Sequence, residues 1–171
     1  MPGRLQTEIH QTRPFEAIEE EAVLNIVRTA EVLQRALVEF LKEFDLSPTQ
    51  YNVLRILRGA GAAGATCSQI GERLLTHDPD ITRLLDRMDA RRLIARERSS
   101  TDRRAIITRI SADGLALVGS IDAPLRTLTQ SRMGKFGRDA LAGLIAELER
   151  VREAFETESS SVKAVNERKT K

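Results

Sequence analysis

Apolar residues recur at spacings of three or four positions between Ile18 and Phe44. This is the period of one face of an α-helix, and it predicts a long helix that begins near Pro14. A helix of about 30 residues is ~45 Å long. Because a small domain cannot cover that length alone, we expect the remaining apolar surface to meet a second subunit. Residues 1–13 are polar and unpatterned, and we interpret them as a flexible arm.

A second helix is predicted after Ser47-Pro48, which combines a favoured N-cap residue with a proline at the first helical position. Tyr51, Leu54 and Leu57 follow at helical spacing and define its inner face. The small residues of 59–64 then form a connection.

A pair of shorter helices is predicted next. Thr66 and Gln69 have the spacing of a capping box, in which two side chains bond the backbone N–H groups at a helix start. After a turn at 76–78, Asp78-Pro79 predicts a further helix that continues to about Arg91. The positions expected to face inward in this pair are Ile70, Leu74, Ile81, Leu84, Leu85 and Met88.

Beyond Leu93 the apolar period changes to two, which is typical of strands. Two alternating stretches, 94–98 and 106–110, flank the polar, turn-prone segment 99–103. They predict a two-stranded hairpin with an exposed basic tip. Two helices joined by a short turn form a helix-turn-helix, and the added hairpin makes it a winged helix-turn-helix.

The last third of the chain is expected to be helical. Ser111 is the predicted cap of a long helix, and Pro124 within it should kink or break that helix. A last amphipathic helix is predicted over 138–157, followed by frayed residues. The residues expected to face inward in the first of these helices are Leu115, Val118, Ile121, Leu125 and Leu128.

Together these elements predict a mainly α fold: a winged helix-turn-helix with a two-stranded β wing, flanked by long N- and C-terminal dimerisation helices. The 171 residues, 41% of them hydrophobic, suit a single folding unit. Its predicted parts are a flexible arm 1–13, a dimerisation helix 14–45, a winged helix-turn-helix region 46–111, C-terminal dimerisation helices 112–158 and a flexible tail 159–171.

Composition narrows the function classes. Cys67 is the only cysteine, which excludes an internal disulfide and fits a reducing compartment. No apolar run is long enough for a signal peptide or a membrane span, so we expect a cytoplasmic protein. His10 and His77 lack companion ligands at metal-binding spacing, and we expect no metal or other cofactor.

Positive charge is concentrated in one segment, although the formal net charge of the chain is only +2. Residues 65–110 hold ten arginines, no lysine and seven acidic residues. A local basic excess on a nearly neutral body suits phosphate binding, and the planar guanidinium also matches guanine edges. The alternative interpretation is a solvated charged face in an arginine-rich chain.

The segment from Leu46 to Leu117 resembles the MarR family of bacterial regulators. Three motifs carry the resemblance in order: LSPTQYNVL, then ITRLLDRM continuing to RRLI, then the wing DRR followed by an apolar strand and the helix start SADG. The resemblance implies a homodimeric, sequence-specific transcription regulator that binds a pseudo-palindromic operator in double-stranded DNA. It further implies a ligand-responsive repressor, with a small aromatic or phenolic compound as the effector.

By this resemblance the helix from Pro79 to Arg91 is the recognition helix, which lies in the major groove. Arg83 is then the candidate for a guanine contact, and Arg87 for a phosphate contact. Arg103 would enter the minor groove, while Asp102 orients a neighbouring arginine as wing support. The full set of candidate DNA-binding residues is Ser68, Gln69, Asp80, Thr82, Arg83, Arg87, Arg98, Arg103 and Arg104.

Several of these residues also have a structural interpretation. Asp80 could accept a hydrogen bond from cytosine or could only favour the N-terminus of its helix. Arg83 and Arg87 could pair with Asp80 and Asp86 on the helix surface. The basic wing tip could be a solvated turn.

Other positions leave alternatives open. Arg92 stands where the family usually has a glycine with a left-handed backbone, so either Arg92 is mildly strained or the turn differs. Pro79 removes a backbone donor at the helix end that approaches DNA. Cys67 could sense oxidants, although a lone cysteine is usually a small buried apolar residue. Tyr51 and Arg55 could line an effector pocket, or could serve core packing and surface pairing.

Two other function classes compete with DNA binding. An enzyme is disfavoured because the sequence has no glycine-rich phosphate loop, no nucleophile motif and no paired-histidine motif. The stronger alternative is a winged-helix protein-interaction module without specific DNA binding. The eight arginines and three acidic residues of 87–109 argue against it, and the salt dependence of binding separates the two.

Overall fold

The computed structural model describes residues 3–76, 78–98 and 105–169, with side chains described as far as 157. The chain forms two compact units, Met1–Asp122 and Ala123–Lys171. The helices are α1 (Arg4–Glu8), α2 (Ile18–Lys42), α3 (Pro48–Ala60), α4 (Cys67–Arg73), α5 (Ile81–Ala90), α6 (Ala112–Met133) and α7 (Arg138–Lys169), and the strands are β1 (Ala65–Thr66), β2 (Ile94–Arg98) and β3 (Ile106–Ile110).

The first unit combines helices with a three-stranded antiparallel sheet of order β1-β3-β2. In the predicted hairpin Ile94 lies opposite Ile110 and Arg98 lies opposite Ile106, so both wing strands are confirmed. The third strand, β1, was not predicted, because two residues are too few to show alternation. The winged-helix fold class is confirmed, with a three-stranded sheet in place of the expected two-stranded wing.

The core of the first unit is built mainly from the inward faces of α3, α4 and α5. Leu54, Leu57, Ile70, Leu85 and Met88 are fully buried, as the helical spacing predicted. Leu74 and Ile81 are half-buried. The end of α2 and the start of α6 complete this core with Leu41, Val118 and Ile121.

The helix caps predicted at Ser47 and Thr66 are confirmed. The Ser47 hydroxyl accepts from the Gln50 N–H at 3.2 Å, and the Gln50 side chain accepts from the Ser47 N–H at 2.8 Å. Thr66 and Gln69 form the same reciprocal pair, at 3.2 and 2.9 Å. Each box satisfies two backbone donors that would otherwise lack partners.

Several helix boundaries differ from the expectations. A short helix, α1, lies within the segment interpreted as an arm, and Leu5 in it is buried. The long N-terminal helix begins at Ile18 rather than Pro14. Helix α5, the expected recognition helix, begins at Ile81 with Asp80 as its N-cap residue, not at Pro79. The Asp78 carboxylate accepts from the Asp80 N–H at 2.9 Å and holds 78–80 in a turn.

Of the two effects expected for Pro124, a break is wrong, because α6 continues through this residue, whereas a kink stays a prediction. Because proline has no N–H, the Ser120 carbonyl loses its helical hydrogen bond. Ser120 and Pro124 are both exposed, so water can bond that carbonyl. Leu115 is 48% exposed rather than buried, because the neighbouring Gly114 takes the inward position in the first turn.

The second unit contains the end of α6, a 3₁₀ turn at Gly134–Phe136, and α7. Gly137 joins the turn to α7 with a positive φ of 77°. The helix continues to Lys169, beyond the point where we expected a frayed tail. Within the described residues, no helix is both long and apolar enough to cross a membrane.

Candidate nucleic-acid interface

Helices α4 and α5 form the predicted helix-turn-helix. A residue of α3 stabilises the turn between them, because the Asn52 side chain accepts a hydrogen bond from the Leu75 N–H at 2.9 Å. Asp80 makes no side-chain cap bond to α5. Its carboxylate lies at the helix N-terminus, where the dipole favours negative charge, which supports the structural interpretation of this residue.

The outward face of α5 carries two exposed arginines one turn apart. Arg83 is 78% exposed, and its only ion pair with a described residue is a long one, 3.5 Å from Nη1 to the Asp80 carboxylate. Arg87 is exposed and makes no ion pair with any residue that the structure describes. Thr82 is also exposed, with its hydroxyl 3.8 Å from the Cys67 sulfur. The two guanidinium groups are therefore accessible to an anionic partner.

One alternative interpretation paired Asp86 with Arg87, but the structure does not show this pair. Asp86 forms an ion pair with Arg96 of β2, whose side chain is only 16% exposed. This ion pair connects strand β2 of the wing to helix α5. The sequence carried a signal for it, because Arg96 shares a strand face with the buried Ile94.

Two further arginines of the basic segment bond to other groups of the same protein. Arg109 pairs with Glu97 across the hairpin, and its Nε donates to the carbonyl of Ala62 at 2.6 Å. The Arg91 guanidinium contacts both the carboxylate and the backbone carbonyl of Asp45. Part of the basic excess thus stabilises the fold, which the charge count alone did not reveal.

The remaining candidate residues occupy two places. Ser68 and Gln69 are exposed at the start of α4, where the Ser68 hydroxyl donates to Glu72 at 3.1 Å and the Gln69 oxygen is used in the cap. Arg98 is exposed at the end of β2. Asp102, Arg103 and Arg104, like His77, lie outside the described residues.

The candidate effector residues are engaged in packing. Tyr51 is 6% exposed, and the Arg55 guanidinium lies 5.8 Å from its ring centre. Burial is the main cause of a raised pKa for the Tyr51 hydroxyl. Arg58 donates to Asp122 at 2.6 Å, which links α3 to α6 and raises the pKa of that guanidinium. These contacts favour the packing interpretation of Tyr51 and Arg55.

Comparison with known proteins gives the same assignment from sequence and from structure. The MarR family profile matches residues 44–105. The transcriptional regulator MhqR of Bacillus subtilis is 33% identical over 76 residues, which are 44% of this chain and 51% of MhqR. The sequence match therefore spans about half the length of this curated relative.

Solved structures extend the similarity to most of the chain. A MarR transcription factor from Planctomyces limnophilus is 34% identical, with a TM-score of 0.61 over 82% of this chain and 98% of that one. The DNA complex of MepR from S. aureus has a TM-score of 0.69 at 19% identity, over 75% of this chain and 94% of MepR, and shows the shared fold. With its winged helix-turn-helix and these matches, the chain belongs to the MarR family of transcription regulators.

Proposed function

We propose that this protein is a sequence-specific DNA-binding transcription regulator that binds a pseudo-palindromic operator as a homodimer. The observation that carries the proposal is the pair of exposed guanidinium groups, Arg83 and Arg87, on the outward face of the second helix of the helix-turn-helix. Similarity to MepR, whose structure contains DNA, supports it. Repression, release by a small aromatic or phenolic effector, cytoplasmic location and the lack of catalytic activity belong to the same proposal.

The dimer is supported by the apolar residues of α2. Ile18, Val27 and Leu33 are between 56 and 78% exposed within one chain, and Leu41 is the one residue of this helix that is buried. Two subunits would place their recognition helices about one turn of DNA, ~34 Å, apart. An inverted repeat would then mirror the two-fold symmetry of the protein.

The roles of the arginines follow from their positions. Arg83 lies in the first turn of α5, the part of a recognition helix that approaches base edges, and a bidentate contact with guanine suits it. Arg87 lies one turn further along, where phosphate contacts are expected. Arg98 on the wing, together with Arg103 and Arg104, would contact the backbone or the minor groove.

The test is selection of bound duplexes from a random DNA pool, followed by affinity measurements at several salt concentrations. We expect an inverted repeat with steep salt dependence. Arg83→Ala should cost about 1–3 kcal/mol on the selected site and relax the preference at one base pair per half-site. Arg87→Ala should instead weaken binding to all sequences evenly and reduce the salt slope by about one per subunit.

A matched control is Arg4→Ala, which removes one arginine whose side chain is 93% exposed on α1 and should leave affinity and preference unchanged. Equal effects of Arg83→Ala and Arg87→Ala on every sequence would contradict the base contact. Absence of both enrichment and salt-dependent binding in the wild type would favour the protein-interaction module.

A further inference from the structure

The C-terminal end of α5 is closed by a hydrogen-bonded turn with a left-handed residue. Arg92 has a φ of 59°, its N–H donates to the Asp89 carbonyl at 2.8 Å, and the Leu93 N–H donates to the Met88 carbonyl at 3.0 Å. This is the pattern of a Schellman motif. It fixes the direction in which the chain leaves the recognition helix.

Ser111 joins this turn to the start of α6. Its hydroxyl donates to the Arg92 carbonyl at 2.6 Å and accepts from the Gly114 N–H at 3.0 Å, while its own N–H donates to the Leu93 carbonyl at 3.1 Å. The approach is close, because a Cβ at Gly114 would lie 2.1 Å from the Leu93 oxygen. One serine therefore caps α6 and holds the end of α5.

Arg91 joins the same turn to the end of α2. Its Nη1 donates to the Asp45 carbonyl at 2.7 Å, and its Nη2 lies 3.0 Å from the Asp45 carboxylate. Asp45 has a φ of 51°, and its N–H donates to the Lys42 carbonyl at 3.1 Å. Arg91 thus connects the C-terminal end of α5, where it is the C-cap residue, to the turn that follows α2.

We propose that Arg91 and Ser111 form a joint that holds the recognition helix in a fixed orientation to α2 and α6, and that this joint determines which half-site spacing the protein accepts. The inference rests on the proposed function, since it requires a dimer on an inverted repeat. Arg91 and Ser111 are positioning residues, because their polar groups are bonded to backbone and side-chain atoms at the ends of α2, α5 and α6. Loosening the joint should change spacing tolerance more than it changes contact with each half-site.

The first experiment measures affinity for the selected operator and for versions with one or two base pairs inserted between the half-sites, which rotate and separate them. The ratio compares the highest with the lowest affinity among these operator spacings. For Arg91→Ala and Ser111→Ala this ratio should fall roughly fivefold relative to the wild type, because a looser joint accommodates more than one spacing. Ser111→Thr, which keeps the hydroxyl, should restore the ratio. Lys42→Ala removes one exposed positive charge near the end of α2 and should leave the ratio unchanged. An unchanged ratio in both alanine variants, with affinity lowered evenly, would overturn the proposal.

The second experiment needs no DNA. Spin labels on cysteines at Arg35 of α2 and Asp89 of α5, in a Cys67→Ser background diluted with unlabelled protein, report the distance between these helices within one subunit. The distance distribution should broaden in Arg91→Ala and Ser111→Ala and stay narrow in Lys42→Ala, with thermal unfolding showing that each variant is folded. A wild type without spacing preference would contradict the proposed function, whereas unbroadened distributions in the alanine variants would contradict the joint itself.

Discussion

At the scale of single residues, Arg92 has a backbone conformation that favours glycine. Its φ of 59° brings Cβ close to the following carbonyl, at a cost of roughly 1–2 kcal/mol for a residue with a side chain. Glycine avoids that cost but loses more chain entropy on folding, by about 0.5–1 kcal/mol. The balance between these two contributions decides the effect of a substitution.

We therefore expect Arg92→Gly to raise the free energy of unfolding by about 0.5–1 kcal/mol, measured by urea denaturation with an unchanged m-value. The control is Ala90→Gly, at the last residue of α5, which should lower stability by up to about 1 kcal/mol. If Arg92→Gly is less stable than the wild type, the arginine side chain stabilises the folded state by more than its left-handed backbone destabilises it.

Single residues also show which features could be predicted from the sequence. The caps at Ser47 and Thr66 were predictable, because capping depends on residues close in sequence. The resemblance to the family left two alternatives for Arg92, mild strain or a different turn, and its positive φ supports the first. The partner of Arg91 was not predictable in this way. Asp45 lies 46 positions from Arg91, and such pairs form only when the whole unit folds.

At the scale of elements, the contact of α6 with the start of β2 depends on a glycine. Gly114 is buried, and an added Cβ would lie 2.1 Å from the Leu93 carbonyl oxygen and 3.1 Å from the Ile110 side chain. The backbone oxygen cannot move without shifting β2. Overpacking of this kind typically costs about 1–3 kcal/mol, occasionally more.

Gly114→Ala should accordingly lower the free energy of unfolding by about 2–3 kcal/mol or more. Gly119, in the same helix, is exposed and has open space around its Cβ position, so Gly119→Ala should raise stability by up to about 1 kcal/mol through helix propensity. Urea denaturation of both variants measures the difference. Equal effects of the two substitutions would show that the close contact at Gly114 does not determine how α6 packs.

The elements also show which features a local pattern can and cannot predict. Helical spacing predicted α3, α4 and α5 with their buried faces, and alternation predicted β2 and β3. The pattern did not predict β1, whose two residues form a strand only through pairing with β3. It placed the start of α5 too early, because Asp78-Pro79 is equally suited to the turn that it forms.

At the scale of the whole molecule, α2 has more apolar surface than its own chain covers. Its 25 residues span about 37 Å, and Leu33 in the predicted apolar stripe is 56% exposed. In a dimer with two-fold symmetry the same surface is used by both subunits, so one substitution changes the interface twice. A buried, unpaired carboxylate in such an interface is strongly destabilising.

Leu33→Glu should therefore be a folded monomer at micromolar concentrations, since glutamate is compatible with a helix but not with a buried apolar interface. The matched control is Val32→Glu, which changes an adjacent and similarly exposed residue, 51% against 56%, about 100° around the helix, and should remain dimeric. Light scattering after gel filtration measures the mass, and circular dichroism checks the fold. The monomer should lose about 10²-fold or more in affinity for the inverted repeat, because the second half-site no longer binds as a linked partner. If Leu33→Glu stays dimeric and binds the repeat as tightly as the wild type does, the apolar stripe of α2 is not the dimer interface.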